Sequence, residues 1–228
     1  GELRVMFSIM ETSWGRAMWN ARDNLLDGLA ITLQITGYGF VGALIIGLLL
    51  CLITMYVKPL HWPARFLINF FRATPIICQL MWVNYVWPPM FGWPNTLFEA
   101  GCVALAIQSA GYLAETFRAG IEGINRGHIE AGRSLGMSAQ LIMRRIILPQ
   151  AFHTMAPAIM NQFMVVIRSS TLVSIIGVSD LMHWGHHLSA EWFEPIGIMS
   201  TIAVFYIVVI WALSSIFKGI IFFFFKSS

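Results

Sequence analysis

The chain has 228 residues, of which 57% are hydrophobic and 11% charged, and its mean hydropathy is +0.72. A soluble domain carries about 25% charged residues, and a disordered chain combines low hydrophobicity with high charge, so both classes are disfavoured. Net charge is +3, and no Lys/Arg-rich cluster interleaved with aromatics points to nucleic acid. The composition fits an all-α, polytopic helical membrane protein.

The chain starts with Gly1, which suggests a processed or altered terminus, and Glu2, Arg4 and Glu11 interrupt any signal-peptide pattern. Residues 1–24 read as an N-terminal interfacial segment, ahead of a transmembrane domain over 25–228. Met6, Phe7, Met10, Trp14, Met18 and Trp19 recur at helical spacing with charges between them. That pattern suits a helix lying in the interface, and a frayed terminus is the alternative.

A helical span needs about 20 mostly apolar residues. Five candidates follow, over 28–57, 66–88, 97–119, 151–182 and 196–225. Gly39, Ala43 and Gly47 mark one small-residue face on span one; Ala106, Ala110 and Ala114 mark another on span three. Such faces let helices approach closely, within one chain or between two copies. Cys51, Cys78 and Cys102 lie in apolar stretches and read as small core residues rather than a disulfide framework.

Five spans put the termini on opposite sides. Lys58, Arg65, Arg126, Arg133, Arg144, Arg145, Lys218 and Lys226 share one side, and only Arg4, Arg16 and Arg22 the other. The positive-inside rule then sets the N-terminus outside and the C-terminus in the cytoplasm. Trp87, Trp93, Trp184 and Trp192 fall on the outer side, as in an interfacial aromatic belt.

The cytoplasmic loop over 120–150 is longer and more ordered in pattern than a plain connector. Gly136 is suited to the positive φ that closes a helix. Ser138 can cap the next helix. Pro149 is expected to bend the chain into span four.

These residues carry a resemblance. Glu130-Ala131-Gly132, then Gly136, then Ile146, Leu148 and Pro149, is similar to the cytoplasmic-loop motif of permease subunits in ATP-binding-cassette importers. Gly132 stands where the motif has a second Ala. Phe71-Arg72-Ala73-Thr74-Pro75 with Gln79-Leu80 resembles the second-span motif of the polar amino-acid permeases. Tyr112, Glu115, Arg118 and Gly120 resemble their third-span motif, and residues 148–152, Pro157, Asn161, 170–172 and 176–178 continue the match. Ala73 replaces the usual Gly, and Arg168 the usual Lys.

The resemblance implies a permease that pairs with a second permease subunit, identical or homologous. Glu130, Ala131, Gly132, Leu135 and Gly136 would form a coupling helix, between spans three and four, that docks on one of two cytoplasmic ATPase subunits. A periplasmic or lipid-anchored binding protein would deliver an amino acid, and the location would be a bacterial inner membrane. ATP and Mg would bind the ATPase; this chain has no phosphate-binding glycine loop of its own, so no cofactor is expected on it.

Charges within spans suggest a substrate path. Arg at a helix centre costs about 2.5–3.5 kcal/mol on insertion scales, so Arg168 needs a partner or a purpose. Arg72, Thr74, Gln79, Glu115, Asn161, Arg168, Ser169, Ser170 and Thr171 are the candidates. Pro75 should kink span two and expose carbonyls to a cavity. An Arg168–Glu115 or Arg72–Glu115 pair that only fixes packing is the alternative. Two buried cations against one buried anion favour an acidic or neutral substrate over a basic one.

Two other signals are weaker. Gly132-Arg133-Ser134-Leu135-Gly136 has the form of a nucleophile elbow, but no strand is expected before it. His183, His186 and His187 cluster in an outer loop, where a zinc site would need four ligands of fixed geometry, with Glu191 and Glu194 the nearest additions. An ion or solute channel is the competing function, and it would not need the loop motif.

Overall fold

The computed structural model describes residues 13–225. Met6, Phe7 and Met10 lie outside them. A short helix α1 (Ser13–Asn20) leads into α2 (Arg22–Tyr56), which starts six residues before the span expected from hydropathy. A 3-10 turn (Lys58–Leu60) precedes α3 (His61–Ala73), α4 (Ile76–Tyr85) and the short α5 (Trp87–Phe91). Then come α6 (Leu97–Glu122), α7 (Arg126–Ser134) and α8 (Ala139–Ile142). A π turn (Met143–Ile147) leads into α9 (Leu148–Ser170), followed by a 3-10 turn (Thr171–Ile176), α10 (Leu181–Trp192) and α11 (Pro195–Phe225). Every element among the described residues is helical.

Four stretches are long and apolar enough to cross a membrane: Arg22–Tyr56, Leu97–Glu122, Ala139–Ile176 and Pro195–Phe217. The second expected span, 66–88, is broken. Lys58–Ala73 and Ile76–Tyr85 meet at 109°. Thr74 and Pro75 are extended at the corner, with ψ of 130° and 138°. Proline disfavours the α conformation in the residue before it, so Thr74 leaves the helix and the expected kink becomes a corner.

The helices α2 and α6 form the centre. Their small-residue faces meet each other within one chain: Ala43, Ala110 and Ala114 are fully or almost fully buried. A Cβ on Gly47 would lie 3.0 Å from both Ala110 O and Leu113 Cβ. The main core continues through Ile35, Leu105, Leu113, Val166 and Val173. A second cluster joins α1, α2, α10 and α11 through Ala17, Met18, Leu25, Leu181, Leu188, Ile198 and Ile202.

Two other expectations change. Cys51 is buried and Cys102, on α6, is half-buried, but Cys78 is exposed because α4 packs one face only. Residues 183–192, expected to lie in a loop, belong to helix α10. Asp180 caps it, its Oδ1 accepting the His183 N–H at 2.9 Å.

Candidate functional site: a cavity beside a broken span, and a helix beneath it

The corner of the broken span is held from within. Gln79, nearly fully buried, donates through Nε2 to Phe71 O at 2.9 Å and to Thr74 O at 3.3 Å. Those carbonyls lost their helical partners at Pro75, so Gln79 serves the bend and not the path surface. Thr74 Oγ1 donates to Phe70 O at 2.7 Å, which spends its proton on the same turn.

Beside this corner lies a cavity of about 480 Å³ between α3, α6 and α9. Arg72, Tyr112, Glu115, Thr116, Thr154, Asn161 and Gln162 supply its polar lining. Arg72 is placed by close packing: a Cβ on Gly111 would lie 2.9 Å from both Arg72 Cγ and Ile68 O. Its guanidinium carbon sits 5.3 Å from the centre of the Tyr112 ring, and Tyr112 OH donates to Arg72 O at 3.3 Å. This is a cation–π arrangement that leaves the guanidinium N–H groups free for an anion. Among the described residues no ion pair engages Arg72.

Glu115 pairs with neither Arg72 nor Arg168. Arg118 takes it, donating from Nε at 3.1 Å and also from Nη2, while Arg118 Nη1 reaches Glu122 at 2.7 Å. The chain Glu115-Arg118-Glu122 follows i, i+3, i+7 spacing on one helix face, a pattern present in the sequence. Arg72, Arg118, Glu115 and Glu122 therefore balance in charge. Arg72 and Arg168 are both exposed, so the premise of two buried cations does not hold.

Of the nine path candidates, the cavity wall contains Arg72, Glu115 and Asn161. Arg168 stands two turns beyond Asn161 on the same face of α9, outside the cavity lining. Ser169 is half-buried beside it. Ser170 Oγ donates to Ile167 O at 2.7 Å and Thr171 Oγ1 to Arg168 O at 2.8 Å. Both hydroxyls close the end of α9. Thr116, Thr154 and Gln162 are cavity residues that the sequence motifs did not single out.

The loop below the cavity is compact. Asn125 Oδ1 caps α7, accepting the Gly127 N–H at 2.9 Å. At the other end Gly136 has φ of 75°. Met137 N–H donates to Gly132 O at 3.0 Å and Gly136 N–H to Arg133 O at 2.9 Å. That pair of bonds is a Schellman stop. Ser138 Oγ accepts Leu141 N–H at 3.3 Å and starts α8. Pro149 does not bend the chain. It sits in the first turn of α9, and the preceding π turn shifts the ladder, with Leu148 N–H donating to Met143 O. A proline's missing donor is tolerated at a first turn.

The faces of α7 divide the motif residues. Gly132 is turned inward: a Cβ there would lie 2.8 Å from Ile146 Cδ1. It seats α7 on its own chain and not on a partner surface. Glu130 and Ala131 are exposed, and Leu135 is 81% exposed. Among the described residues no ion pair joins Glu130 to Arg133. The Nδ1–H of His128 donates to Gln150 Oε1 at 2.9 Å, and Gln150 Nε2 donates to Ile146 O at 2.9 Å. Caps and tethers of this kind make α7 rigid with the foot of α9.

Ser134 Oγ donates back to Glu130 O at 3.0 Å and a helix precedes it, so the nucleophile-elbow geometry is not met. His183 and His187 flank the Trp184 ring, and His187 Nδ1 lies 3.7 Å from Glu191 Oε2. Among the described residues no group of three His, Cys, Asp or Glu is placed to hold a metal ion.

A helical membrane bundle with a polar cavity at a broken span, and a rigid helix presented on the loop below, is the plan of a transport subunit. Residues 39–227 match the family described as binding-protein-dependent transport system inner membrane component. The chain is 35% identical over 198 residues to the arginine transport system permease protein ArtQ of Bacillus subtilis (strain 168), covering 86% of this chain and 90% of that one. It is 34% identical over 214 residues to the glutamine transport system permease protein GlnP of Escherichia coli (strain K12), covering 92% and 96%. Its fold matches a crystal structure of an amino acid ABC transporter with histidines, with TM-score 0.82 and 33% identity over 89% of this chain and 95% of that one. An inward-facing structure of the MetNI methionine ABC transporter shares the fold, with TM-score 0.68 and 24% identity.

The chain belongs to the family of binding-protein-dependent transport system inner membrane components. It is a multi-pass transport subunit and not an enzyme.

Proposed function

We propose that this chain is the permease of an ATP-driven amino-acid importer, and that a zwitterionic amino acid passes the cavity between α3, α6 and α9. The observation that carries the reading is Arg72, held on Tyr112 with no carboxylate partner among the described residues, at the corner of the broken span. A free guanidinium can hold a carboxylate through two parallel hydrogen bonds. Glu115, across the same cavity, offers a carboxylate to the substrate ammonium. Because Arg118 already neutralises Glu115, a neutral or acidic side chain is preferred to a basic one. The glutamine system among the relatives agrees with this preference. A basic substrate is the second reading, favoured by Glu115 in the wall and by the arginine system among the relatives.

The partners follow from the same reading. A second permease, identical or homologous, completes the path. Two ATPase subunits, which carry the ATP and Mg, receive α7 through Glu130, Ala131 and Leu135. Gly132 and Gly136 shape that helix from behind. A binding protein delivers the amino acid on the opposite side. Arg168 and Ser169 lie farther along the path, where the second permease would close over the open face of α9, while Ser170 and Thr171 shape the helix end behind them. The Lys and Arg distribution supports a cytoplasmic C-terminus and α7, with the N-terminus outside.

The test is reconstitution of the purified complex in liposomes, with the binding protein on one side and ATP on the other. Labelled glutamine, glutamate and arginine are compared. Arg72→Gln should reduce ATP-driven uptake at least tenfold, through loss of a charge-assisted bidentate contact. Unchanged uptake in Arg72→Gln would remove Arg72 from the path. Downhill flux without ATP would favour the channel reading.

A further inference from the structure

A second concavity lies far from the transport cavity, where α1 folds against α2 and α11. It has a volume of about 310 Å³. Its walls are apolar: Met18, Leu25, Leu26 and Leu29 face Phe205 across it. Met18 and Leu25 are buried, while Leu26 is 60% exposed and forms an open edge. Thr201 also lines it, but its hydroxyl donates to Gly197 O at 2.9 Å and is spent. Among the described residues, the polar lining gathers at one end, with Arg22, Trp14 and Trp19.

The mouth is different. Arg22 lies at the end of the groove, about 10 Å along the helix axis from Leu29 at 1.5 Å rise per residue. Its guanidinium is 5.0 Å from the Trp19 ring centre, and Nη1 donates to Trp19 O at 3.3 Å. Asp23 Oδ1 lies 3.6 Å from Arg22 Nε, and both side chains are more than half exposed. Trp14 and Trp19 flank this end, the placement aromatic residues take at a membrane surface. A cation and an anion thus stand side by side at the end of an apolar slot that opens sideways.

We infer that this groove binds a membrane phospholipid whose head group carries both a phosphate and an ammonium, as in phosphatidylethanolamine. The phosphate accepts from the unused N–H groups of Arg22. The ammonium donates to Asp23. One acyl chain fills the slot between Leu25, Leu26 and Phe205, in place of the solvent or second helix that would otherwise have to cover it. The lipid then bridges α1 to α2 and α11. A head group with phosphate alone satisfies Arg22 and leaves Asp23 facing a like charge; a quaternary amine cannot donate to Asp23.

The test uses the full chain, purified with the subunits that accompany it and placed in nanodiscs of equal parts phosphatidylethanolamine and phosphatidylglycerol. Native mass spectrometry of the released protein reads the retained lipid. Phosphatidylethanolamine should be retained over phosphatidylglycerol by about fivefold, the scale of one exposed ion pair. Asp23→Asn should erase that preference while lipid is still retained. Arg22→Gln should weaken retention of both lipids, and Thr201→Phe should displace both by filling the slot. Both charge variants alter exposed side chains, so they leave the fold available for measurement. No retained lipid, a preference that survives Asp23→Asn, or a second copy of the chain found across the groove by cross-linking would each overturn the proposal.

Discussion

Replacing Gly136 by Ala isolates one backbone torsion. A Cβ at Gly136 would meet no heavy atom within 4 Å, so steric overlap with neighbours plays no part. The φ of 75° is the whole difficulty. A left-handed residue with a Cβ costs about 1–2 kcal/mol. Reduced freedom in the unfolded chain returns about 0.4–1 kcal/mol of that. The net is about 1 kcal/mol, or roughly a fivefold rise in opening of the turn. That turn holds the bonds from Met137 N–H to Gly132 O and from Gly136 N–H to Arg133 O. Amide hydrogen exchange over residues 130–138 should therefore quicken about fivefold in Gly136→Ala. Gly136→Asn should fall between, since Asn tolerates the left-handed region. ATP-driven uptake should decline in the same order, while overall melting stays within a degree or two, because α7 lies outside the buried core. Equal exchange in the wild type and both variants would refute the claim that this glycine sets the stop of α7.

Three further outcomes follow from the geometry. Gln79→Leu orphans the carbonyls of Phe71 and Thr74, and should lower stability by about 1–3 kcal/mol in a thermal melt, although the side chain is closely matched in size. Arg118→Gln releases Glu115 in the cavity wall, and should raise uptake of arginine relative to glutamine by about fivefold in a competition assay; an unchanged ratio would detach Glu115 from selectivity. Asp180, in the turn before α10, is fully buried, and burial pushes its carboxyl up to about 6. The folded value exceeds the unfolded one, so the stability this group gives is complete below about pH 4 and is lost as pH rises through about 6, a change on the order of 3 kcal/mol. The melting temperature should accordingly fall between pH 4.5 and 7.5, and Asp180→Asn, which keeps the cap on His183, should flatten that fall.

The parts of the fold that local chemistry decides were legible in the sequence. Gly136 and Ser138 act within a few residues of themselves, so their roles as stop and cap follow from their types. The small-residue faces on α2 and α6 were visible as spacing, but only packing revealed that they face each other. Pro75 announced a bend without its angle, which depends on Gln79 reaching back across the corner. Pro149 misled because a π turn one step earlier absorbs its missing donor. The helix α10 was hidden by its own composition: His183, His186, His187, Ser189 and Glu191 lower its apolarity below that of a span. At the cavity, Arg72, Glu115 and Asn161 were found as polar residues inside apolar runs. Span charges pointed across helices for the partner of Glu115, whereas Arg118 lies one turn away on the same one.

The corner at Thr74 and Pro75 also bears on how voltage falls across the protein. Two segments at 109° cannot both run along the membrane normal. The shorter, Ile76–Tyr85, has 10 residues and is about 15 Å long, against a hydrocarbon thickness of about 30 Å. On the proposed path, a septum set by this segment would concentrate the membrane potential over roughly half the usual distance. On that proposed path, a charge moved past Arg72 would meet a field about twice as steep as in the surrounding lipid, at up to about 2.3 kcal/mol per unit charge for each 100 mV. A zwitterion, with no net charge to move through that field, would cross it almost without regard to polarisation, whereas a cationic cargo would be drawn inward by it.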